Sequence, residues 1–462
     1  MPLLGRDADT DRHTMAAKCC GGARLHWVGA GCCDVLTSVL WSATVTGWVT
    51  STTQQRGGSI ESDDARTLAM HVISTSACAV VVAPMVFHFA RCTNRRYAAC
   101  LTFAGGGTVA LLMLVGELLS GGVVVGMAFA ASGKTIFELG RLDDGARTTS
   151  STTGGFLVAL YSSRAIFFCV ACGVYAIIDA ATAHDPQAIV HASAGCILLA
   201  NIAGAAFSAT APGGAHVEPS PDTAVLLPRD KHTRQPPNVV CVAVREILCS
   251  MFPVQDVLRL GSDGPAIPIL VVAVSGMHLG LVGSTFAHAV WIMKHCDLSA
   301  AVAALYSAIW SAGNAIAVVS AGAHLGPTSL AIGAVGYAGR SVALVVDGTV
   351  TIGVAHAAAL LYVVAAALAY PVYTNTRARL WRVSGEKHSY HVARVMSALD
   401  NIGRCIAGGS LVFFSKVLTV SQTPAATGTL PEHSRPLLVC IVIEVLFYLL
   451  SFAAKTTRAT GH

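Results

Sequence analysis

Apolar residues run in blocks about twenty long, separated by short polar stretches, from residue 27 almost to the end of the chain. A helix needs roughly 20 such residues to cross about 30 Å of hydrocarbon, and so many blocks of that length exceed what buried helices of a soluble core would need. They predict spans at 27–50, 68–90, 97–118, 121–140, 154–178, 188–210, 264–293, 298–321, 325–346, 348–373, 395–415 and 436–454. The fold class expected is an all-α polytopic membrane protein with about 12 transmembrane helices, 11 and 13 being the neighbouring counts. Residues 239–260, "VVCVAVREILCSMFPVQDVLRL", set the upper bound. Arg245 and Glu246 sit at the centre of this stretch and Pro253 follows, so it predicts an interfacial helix leading into the seventh span.

The polar stretches divide the chain into a segment over 1–26, a first six-helix half over 27–210, a connector over 211–263, a second six-helix half over 264–454 and a tail over 455–462. This is a transporter-like arrangement. The connector opens with "APGGAHVEPSPDTAVLLPRDKHTRQPPNVV", whose six prolines predict irregular structure. The first segment is polar and mixed in charge, unlike a cleavable signal peptide, so the first span itself is expected to start insertion.

Composition agrees with the pattern: 54% of residues are hydrophobic and 12% charged, against about a quarter charged in soluble domains. Mean hydropathy is +0.62. The net charge of +5 does not point to nucleic acid once the 30 Lys and Arg are placed on the spans. With the N terminus inside, 22 fall on the inner side, counting Lys134 at the inner end of its span, 5 on the outer side and 3 arginines within spans. Inner loops of membrane proteins are enriched in these residues, so both termini are expected in the cytoplasm and the bilayer is the expected partner.

Several signals carry little chemistry. Most of the 15 cysteines lie in or beside spans, where Cys acts as a small hydrophobe. Cys19 and Cys20 are juxtamembrane candidates for palmitoylation. Cys169 and Cys172 form a CxxC within a span, without the strand that a redox motif requires. "AFAASGKT" at 128–135 resembles a phosphate-cradling loop but has Ala128 in place of the first glycine and lies inside a span, so Lys134 is expected to snorkel towards the cytoplasmic face near Arg141. The histidines are single, with no metal-ligand spacing. Neither a catalytic dyad nor a nucleophile elbow is present, so no enzyme activity, metal or cofactor is expected. Glycines such as those of "GAVGYAGR" are explained by close helix packing.

Charges inside spans are more informative, because an ionised group at the bilayer centre costs several kcal/mol unless it is paired or faces a wet cavity. Arg164 and Arg404 each lie about ten residues from the cytoplasmic end of their spans, roughly 15 Å deep and therefore near the midplane. Asp400 lies one turn below Arg404 on the same helical face. Asp34 is about a third of the way across the first span and Glu444 is near the middle of the last. Glu117 and Glu138 lie near span ends, and Arg340 lies in the outer part of the ninth span. Two readings follow. Asp400 and Arg404 pair within their helix and with Glu444 or Asp34, fixing helix packing; or they line a polar cavity between the halves, with Arg164 at the equivalent position if the halves are parallel repeats.

Two families are similar in wording. "ALDNIGR" resembles the D-W-x-G-R signature of equilibrative nucleoside transporters, with Asp400, Gly403 and Arg404 matching and Asn401 replacing the tryptophan. Across the whole chain, the polar N terminus, the Ala/Gly/Val/Cys-rich spans, "IFELG" and the terminal "CIVIEVLFYLLSFAAK" look like the herpesvirus UL-forty-three family of multi-pass membrane proteins. That resemblance implies a virion-envelope or host-membrane protein, possessing a transporter-like scaffold and other membrane or envelope proteins as partners. The first implies a facilitative transporter of a small polar solute such as a nucleoside.

The charge count generates a direct test: tags on either terminus should both be reachable from the cytosolic side of intact membranes. Accessibility of only one terminus would mean an odd number of crossings, with 239–260 as the added span.

Overall fold

The computed structural model describes residues 7–55, 61–92, 94–142, 150–211, 253–262, 264–295, 299–321, 327–347, 352–419 and 432–456. Every regular element among them is helical: α1 (Asp7–Gln55), α2 (Ser62–Cys92), α3 (Arg95–Leu114), α4 (Gly121–Ser132), a 3-10 turn (Phe137–Leu142), α5 (Ser150–Ala181), α6 (Pro186–Thr210), α7 (Val254–Ser262), α8 (Ala266–His295), α9 (Ala300–Ala321), α10 (Pro327–Asp347), α11 (Ile352–Thr419), a second 3-10 turn (Glu432–Ser434) and α12 (Arg435–Thr456). Local capping agrees with these boundaries. Asn94, Ser120 and Asp185 each accept a backbone N–H of the first turn of α3, α4 and α6, and Pro186 opens α6 where a missing N–H costs nothing.

Ten helices among the described residues are long and apolar enough to cross a membrane, and 331–345 of α10 is a shorter apolar helix. Among the described residues the expected twelve are reached when α10 is added and α11 is counted as two. Its 68 residues would reach about 100 Å as one rod, far beyond a bilayer. Gly385 breaks it, with φ 57° and ψ −163°, a conformation that side chains with a Cβ avoid. The chain then reverses, so that Arg377 before the break and Asp400 after it meet at 3.3 Å. Of the connector, 212–252 lies outside the described residues. Its last part forms α7, which is tied to the second arm of α11 by the Asp256 carboxylate facing His391 Nδ1 at 2.6 Å and Arg394 Nη1 at 3.4 Å.

In the first half, α1 packs on α5 and α6, and α3 on α4 and α6; in the second, α8 packs on α12 and α11, and α10 on α11. The halves join where α2 meets the second arm of α11 and where α5 meets α9. Small residues make these crossings close. A Cβ on Gly408 would lie 3.2 Å from the Ala69 carbonyl oxygen of α2, and one on Gly336 of α10 would lie 2.5 Å from the Ala369 nitrogen in the first arm of α11. Apolar side chains such as Phe413, Ile177, Ile316 and Leu199 point outwards, as expected when the surrounding solvent is lipid.

The buried apolar residues form two clusters, one including Trp27, Phe87, Phe137 and Trp381, the other including Leu40, Met113, Trp291 and Leu437. Along α1, α5, α8 and the second arm of α11 the chain passes from the first cluster to the second, and Asp34, Arg164, His278, Asp400 and Arg404 fall at that transition. A polar layer thus separates two apolar ones.

Gly336→Val should overpack the α10–α11 crossing and cost about 1–3 kcal/mol, read as a lower melting temperature in detergent. Gly409→Ala, where a Cβ meets nothing within 4 Å, should leave melting unchanged.

Candidate functional site

The polar layer surrounds a cavity of about 320 Å³ between the halves, in the size range of small-molecule sites. Asp34 of α1, Lys134 just beyond α4, Glu138 of the 3-10 turn and Arg164 of α5 face it from the first half. His278 of α8, Asn314 of α9, Arg377 of the first arm of α11 and Arg404 of the second arm face it from the other. Tyr161, Tyr370, Tyr373 and Trp310 supply aromatic wall.

Glu138 organises one end. Its carboxylate accepts from Arg377 Nε at 3.0 Å and from Trp381 Nε1 at 2.6 Å, and lies 4.0 Å from Arg164 Nη1. Arg377 also donates to Asp400 at 3.3 Å and to the Tyr373 hydroxyl at 2.7 Å. Arg164 in turn faces Asp34 at 3.4 Å. Glu138 belongs to the first half while Arg377, Trp381 and Asp400 belong to the second, so these bonds clamp the halves together. Three further hydroxyls make neighbouring contacts: Thr135 donates to the Ala393 carbonyl at 3.4 Å and Ser311 to that of Ala165 at 2.7 Å, both across the halves, whereas Ser132 stays within the first half on Ala128.

His278 bridges two charged groups, with Nδ1 3.6 Å from Asp400 and Nε2 3.3 Å from Lys134 Nζ. That order suits a neutral ring carrying its proton on Nδ1, since Nε2 then offers its lone pair to the ammonium. Among the described residues Arg404 lines the cavity without a hydrogen bond or ion pair of its own.

A second buried cluster lies within the second half. Arg340 grips Glu444 through both carboxylate oxygens, at 2.8 and 3.0 Å, and donates to Ser284 at 2.6 Å and Tyr362 at 3.0 Å. Its two terminal nitrogens serve this cluster, which joins α8, α10, α11 and α12, while Nε has no hydrogen-bond partner among the described residues.

Of the charges singled out in the sequence, Asp34, Arg164, Glu138 and Arg404 therefore share one cavity, and Asp400 stands behind its wall. Two expected pairings differ. Asp400 is bonded to Arg377 and not to Arg404, because the reversal at Gly385 brings a better-placed guanidinium to it. Glu444 is taken by Arg340 and is bonded to neither Asp400 nor Arg404. Glu117 is exposed in the turn between α3 and α4 and joins neither network. The side chains of Cys19 and Cys20 lie outside the described residues. Lys134, expected to snorkel to the surface, instead reaches His278 in the cavity, where it finds a lone pair. Arg377 was hidden by placing the end of the tenth span at residue 373; it lies one turn further on, on the face of Tyr373, and the continuous helical pattern of "YPVYTNTRARLW" was the available signal. His278 carried no signal at all, because its partners come from α4 and α11.

The sequence matches no family model and no curated protein. Solved structures match over nearly the whole chain. The human organic anion transporter MFSD10 is 12% identical, with 94% of this chain and 99% of that one covered and a TM-score of 0.63. The xylose transporter XylE from E. coli, in a partially occluded inward open conformation, is 13% identical over 94% and 97%, at 0.58. The nucleoside transporter NupG is 12% identical over 94% and 99%, at 0.54. At such identities the likeness is one of fold. The chain is a multi-pass membrane protein with the fold of MFS-type transporters.

Glu138→Gln removes the carboxylate held by Arg377 and Trp381, and should cost about 3–5 kcal/mol, as loss of one buried partner does. The double change Glu138→Gln with Arg377→Gln should recover a measurable part, seen in melting temperatures across the four-member cycle. Full additivity would mean that the two groups are not coupled.

Proposed function

We propose that this protein is a transporter of a small polar solute, which binds in the cavity between the halves and is exposed to the two sides of the membrane in turn. The observation that carries this reading is the unpaired cationic group, Arg404, on the wall of a cavity shared by both halves. A pure scaffold gains nothing from a half-buried guanidinium that faces a cavity without a hydrogen-bond partner of its own, whereas a solute can use it. The clamp at Glu138 supports the same reading. It closes one end of the cavity with bonds that run between the halves, so rocking the halves apart must break them, while Asp34 with Arg164 and Arg340 with Glu444 stay intact within each half. A solute that binds the two states unequally supplies the free-energy difference for that exchange.

The excess of Lys and Arg supports a cytoplasmic position for both termini and for the Glu138 end, and on that reading the state described is closed inwards. The aromatic walls suit a solute with a flat ring, and nucleosides are among the candidates. Residence in a virion envelope or a host membrane, proposed from the whole-chain resemblance to the herpesvirus family, is compatible with transport, and so are membrane or envelope partner proteins. Enzymatic chemistry has no support in the cavity.

Purified protein in proteoliposomes should show saturable counterflow of at least one labelled solute among uridine, xylose and benzoate, and Arg164→Gln should reduce it by roughly tenfold, because that change releases Asp34 as an unpaired acid on the wall. Background flux for all three would overturn the transport reading and favour the scaffold.

A further inference from the structure

The cavity is not balanced in charge. Lys134, Arg164, Arg377 and Arg404 line it, against Asp34 and Glu138, with Asp400 behind. Each acid is already engaged: Asp34 by Arg164, Glu138 by Arg377 and Trp381, Asp400 by Arg377. Arg377 serves two carboxylates at once, which leaves Arg404 as the surplus guanidinium. Asp34 and Asp400 are the acids whose charge reaches it, and both are bonded elsewhere. Among the described residues Lys134 has one hydrogen bond, to His278, and its charge is attracted by Asp400 and repelled by Arg404.

Two like charges face one cavity from opposite halves, and the acids within reach of both, Asp34 and Asp400, are each bonded to another guanidinium. A bound anion removes the repulsion and satisfies the free donors, so it gains where a neutral solute does not. We infer that the solute is an organic anion, whose carboxylate or phosphate group is gripped between Arg404 of the second half and Lys134 of the first, with its apolar body against Tyr370, Tyr373 and Trp310. This deepens the transport reading and rests on it only for the movement of the anion, not for its binding. The two cations come from different halves, so the anion also serves as the element that draws the halves around itself.

The test is thermal melting of the full-length protein in detergent, at constant ionic strength, with benzoate and phenyl phosphate as anionic probes and benzamide and benzylamine as neutral and cationic controls. Benzoate or phenyl phosphate should raise the melting temperature in a saturable way, and the controls should not. Arg404→Gln removes a group with no partner, so it should fold and melt close to the parent, yet weaken the anion response by roughly tenfold or more. Lys134→Gln should do the same, and Arg404→Lys should restore most of the response because it returns the charge.

Equal stabilisation by benzoate and benzamide, no response to either anion, or an unchanged response in Arg404→Gln would overturn the assignment. Counterflow separates this from the parent reading. Saturable uptake of a neutral solute without anion preference would sink the anion site and leave the carrier standing. Anion-specific stabilisation without any uptake would sink the carrier and leave the anion site.

Discussion

The Glu138 carboxylate, held by Arg377 and Trp381 at 1% exposure, is the contact on which the rest of this architecture turns. It joins a short 3-10 turn of the first half to a long helix of the second, at a depth where an isolated charge would be untenable. Around it the other charges arrange themselves by competition. Arg377 takes two acids, Arg164 is shared between Asp34 and Glu138, and Arg404 is left over. The structure thus spends its carboxylates on closure and leaves cations for the cavity.

This division explains why two buried networks have different characters. Arg340 and Glu444 meet through two oxygens, with Ser284 and Tyr362 also accepting from the guanidinium. All their elements belong to one half, so nothing in a rocking motion would strain them. The Glu138 network spans both halves and borders a cavity, so a rocking motion would have to break it. Small residues at the crossings, Gly336 and Gly408 among them, let the backbones come close enough for these short side-chain reaches.

The two apolar clusters give the polar layer its force. Each is built from large side chains that exclude water above and below, so the attraction of a charged group for an opposite charge is stronger there than at a surface. The reverse also holds: an unmatched charge in the layer is costly unless it faces a polar cavity, as Arg404 and Lys134 do.

Sequence alone determined the class of protein: lengths and spacing of apolar blocks decide how many helices cross a bilayer, because hydrocarbon thickness is constant and a helix rises by a set amount per residue. It also marked Asp34, Glu138, Arg164, Asp400 and Arg404, since a charge inside a span is conspicuous against its neighbours. Partnership was decided only in three dimensions. Asp400 and Arg404, one turn apart, read as a pair, but the reversal at Gly385 delivers Arg377 to Asp400 from 23 positions away. His278 and Lys134, unremarkable in the chain, meet because α4 and α8 converge on the second arm of α11. Periodicity reports the face on which a residue lies, while the identity of the opposing face depends on how separate helices pack, and no local pattern encodes that.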